Sequence, residues 1–222
     1  MKYSEYLNNR LNTFIKSYEL MKKHIRHNIL QQKFPYNIVE LGSCRSFVNN
    51  GFIGCMSPNI SYWNPNNPAC WDFGAGIFTK VFSDNLQYDN LQHTYKLYTI
   101  DPDQDANFIT KVMCKDNKQL IIKQTTSSNF LQNFDQKIDF LYMDHMESTP
   151  DMLEETALTH LHDVKIIINR DIMSENGIIL VDDVGYDIVN GKGKYSIPFL
   201  LENNYEIILH EYQVLIKKKI IT

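Results

Sequence analysis

Apolar runs that end in acids alternate with segments of helical spacing, and no other feature of this chain constrains its fold as tightly. Ile38-Val39-Glu40-Leu41 runs into Gly42 and Ser43, and Leu97 to Ile100 runs into Asp101. Phe140-Leu141-Tyr142-Met143 ends in Asp144, His145 and Glu147, and Ile178-Ile179-Leu180-Val181 ends in Asp182 and Asp183. A further run, Leu120 to Lys123, departs from the pattern and ends in Gln124, Thr125, Thr126, Ser127 and Ser128. Between and after these runs, helical character is expected over 78–85, 107–114, 129–134, 150–173 and 196–202, with a strand at 177–181. Strands separated by helical crossovers imply a mainly parallel sheet with helices on both faces. The closing pair, 205–209 and 213–217, is joined only by His210, Glu211 and Tyr212. That link is too short for a parallel crossover, so the pair should be an antiparallel hairpin.

Upstream of the alternation, Tyr3, Leu7, Leu11, Phe14, Tyr18, Met21, Ile25 and Ile29 recur every three or four residues, which predicts one amphipathic helix or two before Pro35. The organisation expected is a helical extension over 1–35 and a main domain over 36–222. Residues 49–72 are rich in Gly, Pro, Asn and aromatics without a sustained period, and read as an inserted loop. A chain of 222 residues, 43% hydrophobic, supports one sizeable core and not two. The formal charge of −4 gives no overall attraction to nucleic acid. Cys44, Cys55, Cys70 and Cys114 lack zinc-ligand spacing and read as reduced, packed thiols. No apolar stretch reaches the ~20 residues of a membrane span, and MKYSEYLNNR lacks the apolar segment of a signal peptide. A cytoplasmic protein is expected, with self-association left open.

In a parallel sheet of this kind, ligands bind beyond the carboxyl ends of the strands. Asp101 stands where a carboxylate can accept both hydroxyls of a ribose, although Asp-Pro also begins turns. The phosphate-cradling G-x-G-x-x-G is absent after the first strand. Gly42, Gly74 and Gly76 instead suit a nucleoside ligand without phosphate, whose approach to backbone needs small residues.

"IVELGS", "LYTIDPD", "FLYMDHMEST" and "GIILVDDV", in that order and before a final hairpin, resemble the class I S-adenosylmethionine-dependent methyltransferases. "YMDHMESTPDMLEETALTHL" with "DDVGY" is similar to the metal-dependent sugar O-methyltransferases of the macrocin type. "WDFGAGIFTKVF" also looks like the glycine turn and first helix of these enzymes, separated here from "VELGS" by the 49–72 insertion. The resemblance implies a Rossmann-like sheet of seven strands with S-adenosyl-L-methionine as cofactor. Glu40 and Gly42 would lie under the cofactor's methionine part, and Ser43, Gly74 and Gly76 would also line the cofactor. Asp101 would take the ribose, Ser127 or Ser128 would lie near the adenine, and Asp144 would border the same site.

Methyl transfer from a sulfonium requires donor and acceptor to be aligned and the attacking hydroxyl to lose its proton. Asp144, Asp182 and Asp183 are oxygen ligands of the kind Mg²⁺ prefers, and a divalent cation could polarise the acceptor. Asp144 could equally orient the cofactor's amino group, with Asp182-Asp183 a structural turn. His145 is a candidate general base or a structural strand-end group. His160 and His162 are read as surface or packing residues. Glu40 could serve only helix–strand packing, and Ser127 and Ser128 could cap the helix expected from Asn129. Tyr62, Trp63, Trp71 and Phe73 in the insertion could form an acceptor lid or anchor the loop. Gly191-Lys192-Gly193-Lys194-Tyr195 reads as a basic loop able to meet an anionic acceptor, or simply as a solvated one. The expected activity is O-methylation of a small hydroxylated acceptor such as a sugar or nucleotide sugar. The alternatives are RNA or protein methylation, or binding without catalysis.

Overall fold

The computed structural model describes residues 11–43 and 78–219. In chain order these form α1 (Leu11–Leu30), β1 (Tyr36–Leu41), α2 (Phe78–Tyr88), β2 (Tyr95–Asp101), α3 (Gln104–Met113), β3 (Leu120–Gln124) and α4 (Ser127–Asn133). There follow β4 (Ile138–Met143), α5 (Leu153–Asn169), β5 (Met173–Val181), a 3-10 turn (Ile188–Asn190), α6 (Ser196–Glu202), β6 (Tyr205–His210) and β7 (Val214–Lys218). The strands make one seven-stranded sheet in the order β3-β2-β1-β4-β5-β7-β6. β1 to β5 are parallel, whereas β7 runs antiparallel to both β5 and β6. This is the mostly parallel sheet with a closing hairpin that the sequence predicts.

Side-chain alternation along the strands builds two cores. Ile38, Phe140, Tyr142, Ile178 and Leu180 face α1, α2 and α3, where Phe14, Met21, Phe82 and Ile109 bury against them. Val39, Leu141, Met143, Ile179 and Val181 face α4, α5 and α6, where Leu131, Val164, Ile167 and Leu200 cover them. Because both faces are covered, the strands read as continuous apolar runs. α1 packs on both the sheet and α2: Phe14 lies edge-on to Tyr142 of β4 and to Phe78 and Phe82 of α2, and Tyr18 donates to Asp89 at 2.6 Å.

The structure departs from the sequence reading after α5. The helical region expected to reach 173 stops at Asn169, and β5 begins at Met173 instead of 177. Asp171 adopts φ 46° and breaks the helix. Met173 is buried and pairs with Ile138, but Glu175 and Asn176 are exposed across a register shift. That polar interruption hides the first half of the strand from any periodicity. α3 also starts earlier than expected, because the Asp103 carboxylate accepts from Asp105 N and Ala106 N and caps it. No helix among the described residues is long and apolar enough to cross a membrane.

Candidate functional site

Chain order reverses at β1, whose neighbours are β2 on one side and β4 on the other. A crevice is expected at such a reversal, and the acids singled out above converge there. Gly42 follows β1 with φ +94°, and a Cβ at this position would lie 2.8 Å from His145 Cα and 2.9 Å from Asp144 O. Only glycine lets the two strand ends approach so closely. Next to it, Ser43 N donates to Asp101 Oδ2 at 2.8 Å, and Asp101 Oδ1 accepts from Asp103 N at 2.8 Å. The Asp101 carboxylate thus joins the turns after β1 and β2. Ser43 Oγ meets Thr99 Oγ1 at 2.8 Å.

Glu40 lies on the α2 side of β1, 1% exposed, and accepts a short hydrogen bond from Thr79 of α2. Burial pushes its carboxyl up to about 8; hydrogen bonds from Thr79 and Thr99 oppose the shift, and the Asp144 charge adds to it. At neutral pH this acid is mainly uncharged. Helix–strand packing and a place beside the crevice are thus both features of Glu40.

Alternation separates Asp144 from His145. Asp144 keeps the parity of Tyr142, whose hydroxyl lies 3.2 Å from Asp144 Oδ2 and makes a short hydrogen bond to Asp182 Oδ2. Asp182 is wholly buried, and its Oδ1 accepts from Asp183 N at 2.8 Å. Asp183, at φ 49°, accepts from the Tyr212 hydroxyl at 2.6 Å. Between Asp144 and Asp183 stands the ammonium of Lys192, 3.1 Å from Asp144 Oδ1 and 2.9 Å from Asp183 Oδ2. Lys192 is 2% exposed. Burial works against its charge, but Asp144 and Asp183 outweigh it and hold the ammonium's pKa above the ordinary lysine value. Among the described residues, no group of three His, Cys, Asp or Glu side chains is arranged to hold a metal ion. Mg²⁺ demands near-octahedral oxygens at ~2.0–2.1 Å, and the three acids do not fit it as they stand.

His145 turns the other way, into the α5 layer. Its Nε2 is 3.0 Å from Asp163 Oδ2, and its ring stacks on His160 with centroids 4.2 Å apart. His160 is fully buried and donates from Nε2 to the His145 carbonyl at 3.2 Å. Burial, then the neighbouring His145 and Lys192, hold its imidazole well below the ordinary value, so it is neutral. Ser128 Oγ donates to Asp163 Oδ1 at 2.6 Å. Burial alone would raise the Asp163 carboxyl, but contacts from His145, Ser127 and Ser128 outweigh it and hold it low. The N-cap of α4 is Thr126, not Ser127 or Ser128; both serines sit in the first turn and tie α4 to α5.

The structure therefore brings Gly42, Ser43, Asp101, Asp144, Asp182 and Asp183 to one sheet edge and places His145 with Ser127 and Ser128 beneath it. Gly74, Gly76 and the aromatic residues of the insertion lie outside the described residues. Lys192, Asp163 and the Tyr142 and Tyr212 hydroxyls carry much of the polar network, and sequence reasoning assigned none of them to it. The one usable signal was the glycine bracket around Lys192: a Cβ on Gly191 would lie 2.3 Å from Val184 O, so the loop can close only with glycine there.

No family model matches the sequence, and no curated protein matches it. Solved structures do. An S-adenosylhomocysteine-bound methyltransferase of Podospora anserina aligns with a TM-score of 0.52 over 98% of this chain and 92% of its own, at 14% identity. A Clostridium thermocellum protein assigned as an rRNA methylase gives 0.53 over 94% and 97%, at 12% identity. A Klebsiella pneumoniae protein assigned as an O-methyltransferase gives 0.51 over 98% and 86%, at 10% identity. Together with the strand order, these likenesses establish that the chain has the Rossmann-like fold of the class I methyltransferases.

Proposed function

We propose that the protein is an S-adenosylmethionine-dependent O-methyltransferase acting on a small hydroxylated acceptor, a sugar or nucleotide sugar being the class in view. The observation that carries this reading is the Asp101 carboxylate fixed beside the Gly42-Ser43 turn at the reversal point of the sheet. S-Adenosylmethionine, when bound, supplies a methyl group on a sulfonium. Asp101 would accept the ribose hydroxyls, Gly42 would admit the methionine portion against backbone, and Ser127 and Ser128 would border the adenine. Gly74 and Gly76 would complete the cofactor wall. Asp144 would face the reacting centre, with Asp183 toward the acceptor.

Next to Asp183 lies a cavity of about 350 Å³, lined in part by Ser148, Tyr186, Asn190 and Tyr212. That size suits a small ligand, and the formal charge of −4 gives no overall pull toward nucleic acid. RNA methylation is the second reading, favoured by the likeness to the protein assigned as an rRNA methylase. A divalent cation was the expected means of polarising the acceptor hydroxyl, but Lys192 stands between two of its three ligands. No step is therefore routed through a metal.

The test is calorimetric titration of S-adenosylmethionine and S-adenosylhomocysteine into the protein and into Asp101→Ala, followed by methyl transfer to a panel of sugars, nucleotide sugars and RNA. Micromolar binding weakened at least ~10-fold in Asp101→Ala is expected, in line with loss of ~1.4 kcal/mol or more from charge-assisted hydrogen bonds. No binding by the unaltered chain would overturn the proposal.

A further inference from the structure

We infer that Lys192 is the resident cation of the Asp144–Asp182–Asp183 cluster, standing where a divalent metal was expected, and that these acids do not hold one. The inference refines the methyltransferase reading but rests on the side-chain arrangement alone. Five of the six carboxylate oxygens of the three acids can accept from a protein donor at once, and the sixth competes for the single Tyr142 hydroxyl proton. Lys192 Nζ takes Asp144 Oδ1 and Asp183 Oδ2, and Tyr212 donates to Asp183 Oδ1. The Tyr142 hydroxyl lies against Asp144 Oδ2 and Asp182 Oδ2, and Asp183 N donates to Asp182 Oδ1. A cation entering here would have to displace the ammonium and take oxygens from these donors.

The backbone is shaped to deliver the lysine. After β5 the chain leaves through Val184 and returns within a few residues, so that Lys192 N donates to Asp183 O at 3.1 Å while Lys192 Nζ reaches the Asp183 carboxylate. Asp187 stabilises the excursion by accepting from Val189 N at 3.1 Å and Asn190 Nδ2 at 2.8 Å. Gly191 packs against the Val184 backbone at a distance no other residue permits. A solvated basic loop would need none of these features. The ammonium's role is positional: it holds Asp144 at the end of β4 and Asp183 at the end of β5 in one fixed relation and cancels part of their mutual repulsion.

The experiment uses Mg²⁺ and Mn²⁺ alone as probes, so its outcome is independent of whether methyl transfer occurs. Mn²⁺ binding by electron paramagnetic resonance and thermal unfolding with and without MgCl₂, at matched ionic strength, are measured for the unaltered chain, Asp183→Asn, Lys192→Met and Lys192→Met/Asp183→Asn. The unaltered chain should show no saturable Mn²⁺ binding at millimolar metal and no Mg²⁺-dependent rise in melting temperature. Lys192→Met, with two carboxylates deprived of their ammonium, should gain Mn²⁺ affinity at least ~10-fold and be stabilised by Mg²⁺, and the double variant should lose both gains. Stoichiometric Mn²⁺ binding by the unaltered chain that Asp183→Asn abolishes would overturn the inference, as would a folded Lys192→Met with no gain. Should Lys192→Met not fold, amine acylation of the unaltered chain decides. Lys192 should react at least ~10-fold more slowly than exposed Lys137, and equal reactivity would refute its buried, paired state.

Discussion

Glu40 offers the sharpest test of the electrostatics at this sheet edge, through Glu40→Gln. Its carboxyl is pushed from the ordinary 4.5 to about 8, mainly by burial between β1 and α2. An acid whose folded pKa lies above its unfolded value binds a proton more tightly in the fold. Its contribution is therefore complete below the unfolded pKa and is lost as pH rises through the folded one. Between about pH 4.5 and 8 this single group should lower stability by up to ~1.4 kcal/mol per pH unit, a total of roughly 2–5 kcal/mol once local relaxation is allowed for. Glutamine keeps the shape and can still accept from Thr79 through its amide oxygen, but cannot ionise. Urea unfolding of both proteins at pH 5, 7 and 8.5 isolates the effect, since every other titrating group is common to the pair. The variant should gain on the unaltered chain steadily with pH and be the more stable at 8.5. A stability difference constant across that range would refute a buried, protonated Glu40.

Two further substitutions probe the same edge from other sides. Gly42→Ala sets a Cβ 2.8 Å from His145 Cα at a φ of +94°; strain and overpacking should together cost roughly 2–5 kcal/mol, read as a lower urea midpoint, and an unchanged midpoint would show that β1 and β4 can part freely. Asp163→Asn should destabilise by roughly 2–4 kcal/mol at pH 7, because a buried carboxylate serving His145, Ser127 and Ser128 is lost. Its pKa is held low, so that contribution is present above the ordinary value of 3.8 and fades as pH falls through the folded one. The gap to the unaltered chain should therefore narrow in acid, the reverse of the Glu40 trend, and a gap that widened would sink the assignment.

The fold was legible because each buried strand supplied a run such as Phe140–Met143 or Ile178–Val181, and because three residues between the last two strands allow only a hairpin. Legibility failed where a strand left the core. Ser174-Glu175-Asn176 breaks the alternation of β5, and a helix was extended through Met173 although Asp171 had already ended it. Caps were misassigned for a related reason: Thr126, Ser127 and Ser128 are all competent, and only the backbone selects Thr126.

At the site, the acids were found and their partners were not. Strand-end carboxylates follow from the fold, since consecutive apolar residues fix where each strand stops. What neutralises them is decided across 48 residues of chain in the case of Asp144 and Lys192, and no local period records that separation. A lysine between two glycines most often lies in solvent, and only the close contact of Gly191 with Val184 distinguishes this one. The same carboxylates can therefore belong to a metal site or to a lysine-bridged cluster depending on how a loop after β5 returns. Here the loop turns back far enough for its ammonium to reach Asp144 and Asp183 together, so the charge that sequence reasoning assigned to a bound ion is carried by the chain itself.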